Sequence, residues 1–165
     1  MTRGHTGLTL VELLVGIAVL AVLLVVAVPG FQTLRQQYLV RSAGMAVYAD
    51  LQLARSEAVK RNRPVTVCFS GSGSVDWSYK LHDSADCSGT VLENVDGQNF
   101  PAVTLNITDS YSGRRITFQP RRNTLIAGNI TLSDAGKQVA MVVKTWNNGI
   151  IRTCSDDSLL GVPPC

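Results

Sequence analysis

Residues 8–28 read LTLVELLVGIAVLAVLLVVAV, and this stretch decides the fold. The run is close to the ~20 residues that an α-helix needs to cross a bilayer, and no polar side chain occurs between Leu13 and Val28. The residues before it are few, polar and basic, with Arg3 among them. Because positive charge stays on the cytoplasmic side, we expect a single-pass membrane helix with the folded part in the periplasm.

A cleaved secretory signal peptide is the main alternative for this segment. Such a peptide has a shorter apolar region followed by a small-residue cleavage site, and residues 27–30 (AVPG) are a poor version of that site. Glu12 lies near the start of the apolar run. A carboxylate inside a membrane segment is costly and usually functional, which favours a role for Glu12. The competing interpretation is that its side chain merely reaches the membrane interface.

A helix is predicted to continue beyond the apolar run. Pro29 and Gly30 interrupt the run, and a proline inside a helix removes a backbone hydrogen bond and usually kinks it. Over residues 31–62, core-facing positions recur every three or four residues: Leu39, Ala43, Val47, Asp50/Leu51, Ala54 and Ala58. We expect the helix to end before Pro64 and Glu57 to pair with Arg61. One small domain cannot bury so long a helix, so lipid or other subunits must cover its first half.

The pattern changes at Pro64 to short β-branched runs separated by turn residues, which indicates antiparallel β-structure. The predicted strands are 64–69, 77–82, 90–95, 103–107, 115–119, 130–132, 139–145 and 150–154. Asn148-Gly149 predicts a hairpin between the last two strands. The fold class is therefore α+β, with a membrane-spanning helix over 8–29, an amphipathic helix over 30–63 and a β-rich periplasmic domain over 64–165, built as an antiparallel sheet or sandwich.

Composition and charge narrow the function classes. A net charge of +3, with 16% charged residues, does not mark a dedicated nucleic-acid binder. There are two histidines, His5 and His82, and the cysteines form no C-x-x-C pair, so we expect no metal site and no cofactor. His82 lies near Asp83, Ser84 and Asp86, but catalysis needs geometry rather than proximity in sequence. We interpret His82 as a hydrated residue at a strand end and expect no enzyme.

The four cysteines predict disulfides. An even number downstream of a membrane segment suggests two bridges in an oxidising compartment, although four free buried thiols are an alternative. Three connectivities are possible. We favour Cys68–Cys87 and Cys154–Cys165, because each pair is nearest in sequence and encloses turn-rich residues; the competing pairing joins Cys68 to Cys154. The second ring either contacts a neighbouring subunit or only restrains a fraying tail.

Residues 7–12 (GLTLVE) resemble the class III signal of type IV prepilins. The resemblance implies that residues 1–7 are a leader, that a prepilin peptidase cuts between Gly7 and Leu8, and that the same enzyme methylates the new amine of Leu8. It also implies that Glu12, the fifth mature residue, pairs with the N-terminal amine of a neighbouring subunit, and that Pro29 marks a kink. Leu8 stands where the family most often has phenylalanine, a tolerated departure.

Residues 53–62 (LARSEAVKRN) and 65–68 (VTVC) resemble the GspH/FimT/FimU group of minor pilins and pseudopilins. Residues 116–120 (ITFQP) are similar to the strand–turn signature of that group, with Arg122-Asn123 where a glycine usually follows. The resemblance implies a type IV pilus minor pilin that helps to initiate assembly near the tip and supports motility and adhesion. Its partners are then other minor pilins, the major pilin, the peptidase and the bacterial inner membrane, and it enters a pilus at the cell surface. The alternative is a type II secretion pseudopilin.

DNA binding is a second alternative. Some members of the group bind DNA through Gly-Arg-x-Arg near the C-terminus, whereas residues 149–152 here read GIIR, with only Arg152 kept, and Asp156-Asp157 follow. The other basic groups that could contact phosphates are Lys60/Arg61/Arg63, Arg114/Arg115 and Arg121/Arg122. No aromatic residue interleaves with them as a stacking platform requires. Solvated surface charge is therefore the favoured interpretation, and DNA as a partner is the disfavoured alternative.

Overall fold

The structure is a computed structural model that describes residues 9–121, 125–157 and 159–165. Gly7, Leu8 and Arg122 lie outside the described residues, so the predicted cleavage site does as well. The chain divides into two compact units, Met1–Arg35 and Gln36–Cys165. We call the second unit the head.

Helix α1 spans Leu10–Arg61. Thr9 precedes it, and its Oγ1 accepts a hydrogen bond from the backbone N–H of Glu12 at 3.3 Å, so the hydroxyl satisfies one of the free donors of the first turn. Pro29 lies inside α1 without ending it. The helix ends before Pro64, as predicted, because a residue directly before proline disfavours the helical conformation.

Within the head, α1 buries one face, as the periodicity predicts. The buried residues are Val40, Ala43, Gly44, Val47, Leu51, Ala54 and Ala58. Small side chains on this face allow close packing: a Cβ at Gly44 would lie 2.9 Å from Cγ of Met141. The predicted pair on the exposed side is confirmed, with Arg61 Nε 2.6 Å from Glu57 Oε2.

Eight strands occur in the described part of the head, close to the predicted ranges. They are β1 Val65–Ser70, β2 Ser78–His82, β3 Val91–Asp96, β4 Val103–Ile107, β5 Arg115–Phe118, β6 Gly128–Asp134, β7 Ala140–Thr145 and β8 Ile151–Cys154. They form two four-stranded sheets, ordered β3-β2-β1-β5 and β4-β6-β7-β8, and the neighbouring strands are antiparallel. One long helix packed on two antiparallel sheets confirms the α+β prediction.

The two sheets enclose a common core, and Trp77 joins them. Its ring stacks on Tyr79 of β2, with centroids 6.1 Å apart, and on Phe100, with centroids 5.8 Å apart. Its Nε1–H donates to the backbone oxygen of Val103 in β4 at 2.9 Å. The indole therefore fills space between the sheets and satisfies its one polar atom.

The predicted hairpin between β7 and β8 is confirmed, and its turn spans residues 147–149. Trp146 N donates to Ile150 O at 3.0 Å, and Gly149 N donates to Trp146 O at 2.9 Å. Gly149 has φ 77°, a left-handed conformation that glycine adopts without steric cost. Arg55 of α1 donates to Gly149 O at 3.3 Å, which ties the turn to the helix.

Candidate functional site

The N-terminal stretch of α1 is apolar on every side. Each large apolar side chain from Leu10 to Leu34 is at least 48% exposed. Of the helices in the described residues, α1 alone is long and apolar enough to cross a membrane by length and composition. A helix that is hydrophobic all round is stable only in lipid or among other helices. The structure therefore supports a helical stretch that anchors the chain in a membrane and packs against other helices.

Glu12 is the single charged residue between residues 9 and 34. It lies in the first turn of α1, where the positive end of the helix dipole favours a carboxylate. Its carboxylate accepts no hydrogen bond and forms no ion pair within the described residues, and it is exposed. Since Leu8 lies outside those residues, pairing of Glu12 with a neighbouring amine stays a prediction.

Two disulfides link the cysteines that are nearest in sequence. Cys68 on β1 is joined to Cys87 in the loop between β2 and β3, with Cα atoms 6.0 Å apart. Cys154 at the end of β8 is joined to Cys165, with Cα atoms 4.7 Å apart. Both Cα separations lie in the usual range for a disulfide. The alternative with four free thiols does not describe this structure.

The loop closed by Cys154 and Cys165 is folded against the head. Ser155 N donates to Pro163 O at 2.9 Å, and the Ser155 hydroxyl donates to Ala140 O of β7 at 2.6 Å. Leu159 is buried in the core. The tail is therefore ordered by packing as well as by its disulfide, which disfavours a fraying end.

The candidate phosphate-binding arginines do not form one cluster among the described residues. Arg115 begins β5 in the first sheet, directly after Arg114, whereas Arg152 lies on β8 at the edge of the second. Arg121 is exposed beyond β5. The basic residues at the end of α1 form ion pairs with carboxylates instead: Arg61 pairs with Glu57, and Arg63 pairs with Asp83.

The hairpin register places Lys144 directly opposite Arg152, a neighbour that our sequence analysis missed. Thr145 and Ile151 form the next pair, and Trp146 and Ile150 the one after it, joined by a backbone hydrogen bond. Residues two apart on a strand share a face, so Trp146 lies on the same face as Lys144 and is 39% exposed. The prediction that no aromatic residue interleaves with the basic groups concerned residues 60–63, 114–115 and 121–122, and the Trp146 ring does not bear on it. A two-residue turn at Asn148-Gly149 would instead place Lys144 opposite Thr153, so this pairing depends on the three-residue turn over 147–149.

His82 is buried, so the expectation of a hydrated histidine is wrong. Its Nδ1 lies 2.9 Å from Gly89 O. The Ser84 hydroxyl donates to Asp86 O at 2.5 Å and accepts from Gly89 N at 3.1 Å. These contacts give the polar residues around His82 a structural role in the loop that Cys87 closes.

A partly buried polar contact joins α1 to the first sheet. The Tyr79 hydroxyl donates to Asp50 Oδ2 at 2.6 Å. Burial raises the pKa of Asp50, the Tyr79 hydrogen bond lowers it, and the nearby charge of Glu93 raises it again. Burial and the adjacent Asp50 raise the pKa of Tyr79 far above its usual value, so the hydroxyl keeps its proton and acts as a donor.

Comparison with known proteins finds two family models on this chain. The model described as type II transport protein GspH matches residues 43–149, and the model described as prokaryotic N-terminal methylation motif matches residues 2–28. No curated protein matches.

Two crystal structures of the Pseudomonas aeruginosa type IV minor pilin FimU are similar to the chain in fold. One has a TM-score of 0.52 at 24% identity and covers 68% of this chain and 90% of that chain. The other, from a second crystal form, has a TM-score of 0.54 at 24% identity and covers 68% and 86%. The two sheets and the long helix are therefore an architecture that solved pilin structures share.

Proposed function

We propose that this chain, which belongs to the family of the type II transport protein GspH, is a minor pilin of a type IV pilus. In this role it helps to initiate assembly near the tip and so supports motility and adhesion. The observation that carries the proposal is the first part of α1, which is apolar on all sides and carries one carboxylate, Glu12. Such a surface suits lipid before assembly and the helices of other subunits afterwards.

The proposed partners follow from the same helix. The N-terminal methylation motif over residues 2–28 supports processing by a prepilin peptidase, which we place between Gly7 and Leu8. Until assembly, the head lies in the periplasm and the apolar first part of α1 in the inner membrane, since Arg3 favours a cytoplasmic N-terminus. In the fibre, the neighbours are other minor pilins and the major pilin.

Replacing Glu12 by alanine tests whether this helix assembles or only anchors. The substitution removes a charge from an apolar span, so membrane insertion and cleavage should proceed. If Glu12 pairs with the amine of a neighbouring subunit, its loss leaves that amine unpaired in an apolar bundle, at a cost of about 3–5 kcal/mol. We expect a processed chain in the membrane fraction that is absent from sheared fibres.

Gln32→Ala is the matched control, because it removes an uncharged polar side chain from the same helix. Immunoblots of membranes and of sheared fibres measure both variants. Incorporation of Glu12→Ala at the wild-type level would show that the carboxylate does not direct assembly.

A deletion strain distinguishes a pilus from a secretion system. The minor pilins named in the FimU structures belong to type IV pili, which supports the first choice. We expect fewer surface pili and normal export of secreted proteins. Normal piliation with failed secretion would instead identify a type II secretion pseudopilin.

A second candidate function is binding of single-stranded DNA by the outer face of β7 and β8. Lys144 and Arg152 are directly opposite each other, and like charges in that position destabilise a sheet unless an anion offsets them. No carboxylate lies within 4.0 Å of either cation among the described residues. Phosphates supply that anion, and the exposed ring of Trp146 offers a surface for base stacking.

Fluorescence anisotropy of a labelled oligonucleotide with the detergent-solubilised chain tests this second function. Arg152→Ala should weaken binding and reduce its dependence on salt, and Trp146→Ala should weaken binding at every salt concentration. Lys80→Ala is the control for the loss of one exposed cation, since Lys80 lies on β2 and outside the candidate phosphate-binding groups. Equal affinity of all three variants and the wild type would refute the DNA site.

A further inference from the structure

The first sheet has two edges whose outer backbone groups are open. Its strand order is β3-β2-β1-β5, so β3 and β5 each pair on one side only. Among the described residues, no other segment donates to or accepts from the backbone on the outer side of either strand. An open edge is a template on which a further strand can pair.

The edge of β4 in the second sheet is closed, which makes the open edges of the first sheet distinctive. Gly73 N donates to Leu105 O at 2.8 Å. Ile107 N donates to Ser72 Oγ at 3.1 Å. The turn between β1 and β2 therefore satisfies outward groups of β4, and no described segment does the same for β3 or β5.

Alternation along the β2–β3 ladder identifies the outward groups of β3. Gly97 N donates to Trp77 O at 2.7 Å at the end of this ladder. Antiparallel strands alternate between hydrogen-bonded and non-hydrogen-bonded pairs, so the N–H and C=O groups of Asn94 and Asp96 point away from β2. The register shift in this ladder lies at its other end, so the counting holds over residues 93–97.

The same counting across β2 and β1 identifies the outward groups of β5. A strand inside a sheet bonds to its two neighbours with alternate residues. The registers of β1 with β2 and of β1 with β5 then leave the backbone groups of Arg115 and Thr117 outward. Each open edge therefore presents two residues whose backbone groups are available to another strand.

The two edges carry opposite charges. β3 carries Glu93 and Asp96, whereas β5 begins at Arg115, directly after Arg114. Among the residues that the structure describes, no cationic nitrogen lies within 4.0 Å of either carboxylate of β3, and no carboxylate oxygen lies within 4.0 Å of Arg115. Two β3 edges would bring like charges together, which disfavours their pairing, whereas β3 against β5 joins opposite charges.

A second copy of the chain supplies a strand that matches β3. Neighbouring strands of the first sheet alternate in direction, so β5 of a translated copy meets β3 in antiparallel orientation. One register pairs outward groups with outward groups and sets amide against hydroxyl, apolar against apolar and carboxylate against guanidinium. Its pairs are Asn94 with Thr117, Val95 with Ile116, and Asp96 with Arg115.

We propose that copies of this chain join their first sheets through β3 of one copy and β5 of the next, with Asp96 paired to Arg115. Backbone hydrogen bonds supply the affinity of such strand addition, and the ion pair selects the register. The two joined surfaces differ, so each pair of copies leaves one β3 edge and one β5 edge open to a further copy. The pairing uses the head alone and does not rest on the proposed function.

Carbodiimide cross-linking of the purified full-length chain in detergent tests the pairing. The reagent joins a carboxylate to an amine in contact with it, and Arg115→Lys supplies the amine. Mass spectrometry of an equal mixture of isotope-labelled and unlabelled chain shows which adducts join two copies. We expect mixed-isotope adducts between position 115 and Asp96. Lys137, an exposed amine between β6 and β7, reports chance encounters in the same sample.

The cross-linking has clear contrary outcomes. Asp86 of the same copy is an internal competitor, because it lies near enough to be influenced by the charge of Arg115. Adducts of position 115 that stay within one copy would overturn the proposal. So would adducts between copies that are no more frequent than those of Lys137.

Asn94→Pro removes one outward N–H from β3. Proline is tolerated on an edge strand where its missing N–H faces away from the sheet, so the β2–β3 ladder is kept. In the Arg115→Lys background we expect the mixed-isotope adduct to disappear, whereas Asn94→Ala, which keeps the N–H, should retain it. Recovery of the Cys68–Cys87 peptide shows that each variant folds. An adduct that survives Asn94→Pro would refute strand pairing.

Asp96→Asn isolates the ion pair in the otherwise wild-type chain. Asp96 Oδ1 accepts Gln98 N at 3.0 Å, and asparagine keeps this acceptor. Sedimentation velocity in detergent should show association weakened by up to about fivefold, with Asp156→Asn, at an exposed position of the C-terminal loop, as the matched control. Unchanged association would refute the Asp96–Arg115 pair. Because these assays use no fibres, their failure leaves the minor-pilin function standing.

Discussion

Replacing Tyr79 by phenylalanine removes one hydroxyl from the contact between α1 and the first sheet. The aromatic ring stays, so its packing against Trp77 and Phe69, with centroids 6.1 and 5.5 Å away, is preserved. The hydroxyl donates to Asp50 at 2.6 Å, and this is the interaction that the substitution deletes. The expected result is a less stable head with an unchanged fold.

The magnitude follows from the geometry of the pair. A hydrogen bond to an ionised group contributes about 1.5–3 kcal/mol to stability. Asp50 is only half-buried, so a hydrogen bond from water replaces part of the interaction that the carboxylate loses. We expect the free energy of unfolding at neutral pH to fall by about 1–2 kcal/mol, which lowers the Tm of a domain of this size by roughly 3–8 °C.

The loss should depend on pH. Burial is the largest influence on the pKa of Asp50 and raises it. Stability from the protonated form is therefore fully present below the unfolded pKa and is lost as pH rises through the folded pKa. The hydrogen bond from Tyr79 lowers the pKa of Asp50, so removing the bond raises this pKa further. The variant therefore loses more free energy of unfolding than the wild type does as the pH rises. The difference between wild type and variant grows from acid to neutral pH.

Urea unfolding of the head, Gln36–Cys165, followed by tryptophan fluorescence at about pH 4 and pH 7 measures both effects. Tyr48→Phe is the matched control, because Tyr48 also lies on the edge of the core. A double-mutant cycle with Asp50→Asn isolates the pair. The reasoning fails if Tyr79→Phe costs no more than the control, or if its cost is the same at both pH values.

Three further predictions concern processing, disulfides and packing. N-terminal mass analysis of the fibre protein should give a methylated chain that starts after Gly7, and a bulky residue at position 7 should leave the precursor uncut; an intact Met1 would contradict cleavage. Non-reducing peptide mapping should recover Cys154 with Cys165, and a peptide joining Cys154 to either other cysteine would refute that pairing. Gly44→Leu should destabilise the head by about 3 kcal/mol in urea unfolding, because the new side chain overfills the contact with β7; unchanged stability would show that the site has spare room.

The hydrophobic pattern predicted the elements of this protein well because it reports local physics. An unbroken apolar run of helical length, Pro64 as a stop, and β-branched segments between turn residues each follow from short-range sterics and burial. The register of the last hairpin is an exception, because the three-residue turn over 147–149, and not a two-residue Asn148-Gly149 turn, places Lys144 opposite Arg152. The family resemblance was also visible in the sequence, because the cleavage motif and Glu12 lie within one short stretch.

Contacts between distant segments depended on the tertiary structure. The helical periodicity placed Asp50 at the edge of the core face but did not explain why a carboxylate lies there. The fold explains it, because it brings the Tyr79 hydroxyl within hydrogen-bond distance of Asp50. His82 is buried by Gly89 and its loop, and Arg41 meets Gly161 from the opposite end of the head sequence. Periodicity specifies on which side of a helix or strand a side chain lies. Which residues it contacts is decided only when the helix and the sheets pack into one core, because that packing brings together segments that are distant in sequence.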